Sequence, residues 1–402
     1  MTPDLGTTVL QHLHHLAGEL GPRSAGSMAN HAAAAYILNV LERSGYTVET
    51  QEYPCPDWSL RSVSLHAGRR PLPTIVNPYS PACDVTAHVV AAASIAELEN
   101  ADCAGRICII HGALTHKYLD PSYAVYISEP DPVATLLQRK SPVAVVAVNP
   151  ARGDVEPLIV DWTFPIPSVT IDCETGREML EHLPQKAHLA IDSTTAPSTS
   201  SNVIGHRAGT RPAGRLILCA HFDTAVATPG AFDNGAGTAV LLGLASVLGE
   251  HHLHTDIELV FFSGEETGGV DAARYLEQSP ALDDVLAVIN LDGIGSRVGA
   301  TGVVTMGGST RLDALVRKTA AAYPGIVTVD PWYESVHSVF LWRGVPCIPL
   351  TTSGYPHVLH GALDNESVID PKRLHQATLF TRDLVQNLQG KSPAWTRPST
   401  AS

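Results

Sequence analysis

Charge is scarce in this 402-residue chain, and what there is leans one way. Charged residues make up 16%, Lys and Arg number 26 against 40 Asp and Glu, and the formal net charge is -14. That shortage of positive charge argues against nucleic acid or an anionic membrane as the main partner, since both are held by basic patches. It is compatible with cationic ligands, including metal ions and amines. Cysteine is sparse too: seven residues, at 55, 83, 103, 108, 173, 219 and 347, an odd number with no CxxC pair. This disfavours a disulfide framework or a thiolate zinc site, and reduced, mostly buried thiols are expected instead. No apolar run reaches about 18 residues, so no membrane-spanning helix is expected. The opening MTPDLGTTVLQHLHHLAGELG lacks the basic and apolar regions of a secretory leader. With the thiols, this gives a cytoplasmic location as the expectation.

The length allows two domains and a sizeable core, and 44% hydrophobic residues is a globular balance. Residues 9–44 look helical, with Ile37, Val40 and Leu41 at helical spacing and Gly45 as a stop signal. YTVETQEY then alternates like a strand. From residue 71 the texture changes to short apolar runs. RICIIHG, PVAVVAVNP, PSVTI and AHLAI read as strands, DPVATLLQRK and ETGREMLEHL as helices, and STTAPSTSSN, 193–202, as a polar linker. From 203 onward strand and helix alternate through RLILCA, GTAVLLGLASVLGE, IELVFFS, VDAARYLEQ, VLAVINL, TRLDALVRKTAAAY, VPCIPL and PKRLHQATLFTRDLVQNL. The pattern predicts an α/β fold, a mixed sheet with a parallel centre sandwiched by helices. The expected organisation is 1–70 and 196–390 as one domain, 71–195 as an insert, small α/β or mostly β and taken as β-rich, and 391–402 as a disordered tail.

Nearly every strand end in the second half is followed by a carboxylate or an imidazole. HFDT supplies His221 and Asp223, GAFDNGAG supplies Asp233, and FFSGEETGG supplies Glu265 and Glu266. INLDG supplies Asp292, and TTSGYPHVLHGALDNES offers His357, His360 and Asp364. Singly, each has an ordinary reading, such as a buried histidine or a helix N-cap. Jointly they lie at the carboxyl edge of the sheet, where ligands of α/β folds collect. Imidazole and carboxylate donors without thiolates suit a catalytic zinc, cobalt or manganese site. Two histidines and three carboxylates are too many for one tetrahedral ion with an open position. They suit two ions sharing a bridging carboxylate. Asp223, two residues after His221, suits an acceptor for the second N–H of that imidazole. Consecutive residues leaving a strand point in different directions. One of the paired glutamates can therefore ligate while the other faces a water as general base.

AHFDT, GAFDNGAG, FFSGEETGG, INLDGIG and HGALD, in this order and spacing, resemble the di-zinc aminopeptidases of metallopeptidase family 28. The resemblance covers residues 200–390 and, more loosely, 10–55, where GPRSAGSMAN is similar to that family's Arg/Gly/Ser segment. CAGRICIIHG, PVAVVAVNP and FPIPSVTIDCETGREML resemble a protease-associated domain more weakly. The resemblance implies a zinc-exopeptidase, phosphorylase/hydrolase-like fold and two zinc ions per chain, with cobalt or manganese as substitutes. It implies an aminopeptidase that cleaves N-terminal residues from peptides with a water or hydroxide bridging the ions. His221 and Asp292 would hold one zinc, Glu266 and His360 the other, and Asp233 would bridge them. Glu265 would be the general base, Asp223 would orient His221, and Asp364 would support His360, which the family's spacing favours over His357. The chain departs from the pattern at Val336, where relatives often carry an acid, and at Gly361, where they carry threonine. RGVP and LDNES are similar to glutaminyl cyclases, which would act with one zinc. A carboxypeptidase of the glutamate carboxypeptidase type would need a cationic clamp, for which Arg274, Arg297 and Arg343 are available. A non-catalytic binding protein of this fold would have lost ligands, and none is lost. The implied partner is a peptide; the oligomeric state is left open.

Overall fold

A computed structural model describes residues 4–119, 131–150, 155–183, 185–211, 213–250, 253–279, 281–354 and 359–398. The chain forms two compact units, Met1–Pro54 with Thr199–Ser402, and Cys55–Ser198.

In the first unit four parallel strands stand in the order Asp256–Phe262, Arg215–His221, Val285–Leu291, Cys347–Ser353. Ala300–Val303 pairs antiparallel with the last of these and carries Ile326–Thr328 in parallel on its outer side. At the opposite edge, Val203 to Arg207 run antiparallel to Asp256–Phe262. This is the mixed sheet with a parallel centre that the alternating pattern predicts. Side-chain alternation assigns its faces. Leu216, Leu218, Ala220, Leu259, Phe261, Ala287, Ile289, Ile348 and Leu350 share one core with Leu5–Leu13, Met28–Arg43, Ala236–Glu250 and Pro371–Leu388. Phe262 turns to the other face and meets the rings of Tyr275 and Phe340 at centroid distances of 5.6 and 6.4 Å. Those rings come from the helices Val270–Gln278 and His337–Leu341. Burying each such side chain contributes about 1.5–3 kcal/mol, and packing on both faces holds the strand ends at a common level. The stretch Ala231–Leu248, with mean hydropathy 1.3, is long and apolar enough for a membrane span by composition, yet 89% of it is buried within the fold. Its apolarity serves the core.

The unit Cys55–Ser198 also contains a run of paired strands. Cys83–Ala92, Ile107–Ile110, Ala144–Val148 and Ser168–Ile171 are parallel neighbours in that order. Ile75–Val76 closes one edge antiparallel, and residues 186–191 the other. Cys108, Ile110, Val145 and Ala147 pack with Leu98, Leu136 and Leu137 of the helices Ile95–Asn100 and Pro132–Lys140. Ile107, Ile109, Ala144 and Val146 pack with Met179 of the helix Cys173–Glu181. The unit is thus an α/β layer, the first of the two expected readings, and is less β-rich than the second. Its strands read as continuous apolar runs because both faces are covered.

Three boundaries differ from the sequence reading. The strand Thr47–Ala67 runs past the unit boundary at Cys55 without a break, so the change of texture at 71 comes too late. STTAPSTSSN belongs to the strand Lys186–Arg207 and is no linker. Its small polar side chains find partners: Ser193 Oγ donates to Ser80 O at 2.9 Å, and Ser200 Oγ to Asn30 Oδ1 at 2.8 Å. Residues 391–398 of the expected tail are structured and include the short helix Pro393–Thr396, while 399–402 lie outside the described residues. Ser309 N–H donates to Thr396 O at 2.7 Å and Ser309 Oγ to Trp395 O at 2.8 Å, which anchors a stretch that composition alone leaves loose.

Candidate metal centre

The carboxyl ends of the parallel strands bring the candidate residues together. His221 is the last residue of Arg215–His221, and Asp292 directly follows Val285–Leu291. Glu265 and Glu266 form a 3-10 turn, Glu265–Thr267, separated from Asp256–Phe262 by Ser263 and Gly264. Asp233 lies in the kinked turn before the helix Ala236–Glu250. His221 Nε2 is 3.1 Å from Asp233 Oδ1 and 3.3 Å from Asp292 Oδ1. His360 Nε2 is 3.4 Å from Asp233 Oδ2 and 3.1 Å from Glu266 Oε2. Two clusters of potential ligands result, His221–Asp233–Asp292 and Asp233–Glu266–His360. Asp233 belongs to both, with one carboxylate oxygen turned to each. His360 has a left-handed backbone, φ 55°, an uncommon conformation for a non-glycine residue. His357 lies outside the described residues.

The donor set fits divalent cations. Two imidazole nitrogens and three carboxylates converge, and Glu266 Oε1 is buried without a hydrogen-bond partner. Such an oxygen is costly to bury unless something positive completes it. Without a cation, protons must do that work. Burial opposes the charged form of His221, but Asp292, Asp223 and Asp233 outweigh it and hold the imidazolium well above its ordinary range. Glu266 raises His360 in the same way. Burial alone would raise Asp233, yet its bonds to His221 and His360 hold it low. A divalent ion would take over the stabilising role of these protons. Glu265 is not among the converging ligands. Enclosure pushes its carboxyl well above the usual carboxylate range, and Asp292, Glu266 and Asp233 add to the shift.

Around the ligands stands a layer of buried partners. Asp223, fully buried, has Oδ1 3.5 Å from His221 Nδ1, while its Oδ2 accepts the Glu266 N–H at 3.3 Å. It therefore connects the strand end of His221 to the glutamate turn, as well as facing the imidazole. Asp364 corrects the reading from spacing. Its carboxylate accepts the N–H groups of Phe232 at 2.6 Å and Asp233 at 3.0 Å, so it steadies the bridging residue; no bond to His360 is seen. A buried polar hub beneath the glutamates went unforeseen. Ser263 Oγ bonds with Asn30 Nδ2 at 2.8 Å and Ser200 Oγ at 2.7 Å, and Ser263 N–H donates to Asn202 Oδ1 at 3.3 Å. The Tyr53 hydroxyl donates to Ser263 O. Gly264, φ 135°, follows, and a Cβ there would come 2.4 Å from Tyr53 Oη. The glycine thus lets the chain pass the hub closely before delivering two carboxylates. Each member of the hub is an unremarkable polar residue; Ser263 lies in FFSGEETGG and Asn30 in GPRSAGSMAN, but nothing local to either motif reports that they meet.

With the clusters in place, comparison with known proteins is decisive. Residues 202–385 match the model of peptidase family M28. This part of the chain, a little under half of it, is similar to peptidase family M28. The five residues of the two clusters, together with Glu265 and Asp223, fall inside the matched segment. Aminopeptidase YwaD of Bacillus subtilis (strain 168) is 26% identical over 292 residues, 71% of this chain and 61% of that protein's length. The chain therefore spans about three fifths of that relative. Carboxypeptidase Q of Mus musculus is 23% identical over 397 residues, 91% of this chain and 82% of the mouse protein. The crystal structure of BSAP, a zinc aminopeptidase from Bacillus subtilis, matches with a TM-score of 0.78 at 22% identity, over 99% of each chain. At that identity the likeness is one of fold, and the M28 fold accounts for the mixed sheet with its flanking helices.

Proposed function

We propose that this protein is a zinc-dependent aminopeptidase that removes N-terminal residues from peptides, with two metal ions sharing Asp233. The observation that carries the reading is the division of Asp233, one oxygen toward His221 and the other toward His360. His221 and Asp292 would hold one ion, Glu266 and His360 the other. Bound there, the ions would polarise the scissile carbonyl and lower the pKa of a water. The residues of the chain supply the rest. Glu265, enclosed beside the ligands but outside their contacts, takes the proton of the attacking water and returns it to the leaving amine. Asp223 steadies the His221 ring through its backbone carbonyl, 3.2 Å from Nδ1, with the carboxylate Oδ1 beside it at 3.5 Å, so that Nε2 points at the ligand cluster.

The carboxypeptidase reading needs a free cation for a terminal carboxylate, and the three arginines proposed for that clamp are engaged. Arg274 bonds Glu52 O and Glu277, Arg297 bonds Ser367 O and Ile369 O, and Arg343 bonds Val339 O. A substrate panel tests the proposal. Zinc-loaded protein is incubated with a peptide free at both ends, an N-acetylated copy, a C-amidated copy and an N-terminal glutaminyl peptide. The expected result is chelator-sensitive release of the N-terminal residue from the free and amidated peptides and none from the acetylated one. Release from the C-terminus, or pyroglutamate as the main product, would overturn it.

A further inference from the structure

We propose that Arg23 is a positioning residue of this metal centre, setting the spacing between His221 and the bridging Asp233; the inference rests on the metal-centre reading above. Arg23 is fully buried, and among the described residues its guanidinium bonds only to backbone carbonyls. Nε donates to Phe222 O at 2.7 Å, Nη1 to Pro229 O at 2.7 Å and Nη2 to Gly230 O at 2.8 Å. Phe222 follows His221, and Gly230 stands three residues before Asp233. One planar fork thus ties both ends of the loop between the first ligand and the shared one. Nη1 also reaches Leu16 O and Gly21 O at 3.3 and 3.1 Å, fastening the fork to its own segment.

The loop is shaped around this arrangement. Gly230 has φ 61°, and a Cβ there would come 2.2 Å from Thr224 Cγ2. Thr224 Oγ1 in turn accepts the Arg23 N–H at 3.0 Å. The carbonyl of Arg23 accepts from Asn30 Nδ2 at 3.2 Å, and the same amide group donates to Ser263 Oγ, two residues before Glu265. The segment from Arg23 to Asn30 therefore braces both ligand-bearing loops. Charge acts in the same direction. Burial lowers the guanidinium to about 10, while Asp364, Asp223, Asp233 and Glu266 favour its charged form. It remains a cation at neutral pH among the carboxylates of the centre. Lysine would keep that charge but cannot span three carbonyls with a planar fork.

The test uses the full chain with Arg23→Lys. Zinc affinity is measured by competition with a chromophoric chelator, alongside kcat, KM and thermal unfolding. Folded R23K is expected to bind zinc about 10–100-fold more weakly, with kcat reduced by a similar factor and KM within about twofold, as for partners that orient a metal ligand. A variant with a lower unfolding temperature but wild-type zinc affinity and kcat would reduce Arg23 to a packing role and overturn the proposal. Should R23K not fold, Thr224→Val, which removes only the acceptor of the Arg23 N–H, is read for the same split. Wild-type protein that takes up no zinc would overturn the metal-centre reading itself, an outcome distinct from an unchanged variant.

Discussion

Replacing Glu265 with glutamine is expected to cut kcat by about 10²–10⁴-fold, the range for a positioned general base, while bound metal stays near the wild-type content. The amide keeps the shape of the side chain but cannot take up a proton. Glu265 belongs to neither ligand cluster, so its loss leaves His221, Asp233, Asp292, Glu266 and His360 in place. Its neighbour supplies the control. Glu266 Oε2 faces His360 Nε2 at 3.1 Å, so Glu266→Gln is expected to lose metal first and activity as a consequence. Metal content measured beside steady-state kinetics separates the two. Activity of E265Q within tenfold of wild type would remove Glu265 from the mechanism.

Asp233→Asn is expected to have the broadest effect of any single substitution. The carboxylate is shared, with Oδ1 toward His221 and Oδ2 toward His360. Asparagine offers one acceptor oxygen and one NH₂ group, so only one cluster keeps a usable ligand, and the other meets a donor where a cation should sit. The variant should retain one metal after dialysis and lose the second. The fall in kcat/KM should exceed the roughly 10–100-fold typical of residues that only orient a ligand. Retention of both metals with near-normal turnover would show that Asp233 does not bridge.

The candidate clusters were legible in the sequence because their residues sit where chemistry and topology coincide. Each of His221, Asp292 and the Glu265–Glu266 pair follows a recognisable apolar strand, and a parallel sheet brings such ends to one edge. The partners of the ligands were less legible. Asp364 has the right spacing to serve His360, but its carboxylate turns to the N–H groups of Phe232 and Asp233, a choice set by the fold of a loop. Arg23 and Asn30 act from 199 to 233 residues upstream of the loops they brace, a distance that no local pattern reports. The misread 193–202 stretch has a similar cause. Its Ser and Thr residues suit a loop by composition, while buried partners such as Asn30 make a strand of it.

The most direct test of the account is a metal titration. Metal-free protein is titrated with zinc while bound metal and hydrolysis of an aminoacyl substrate are followed together. The account predicts saturation at two zinc ions per chain, with full activity only when both are bound. Full activity with a single ion, and no second site in the same affinity range, would contradict it.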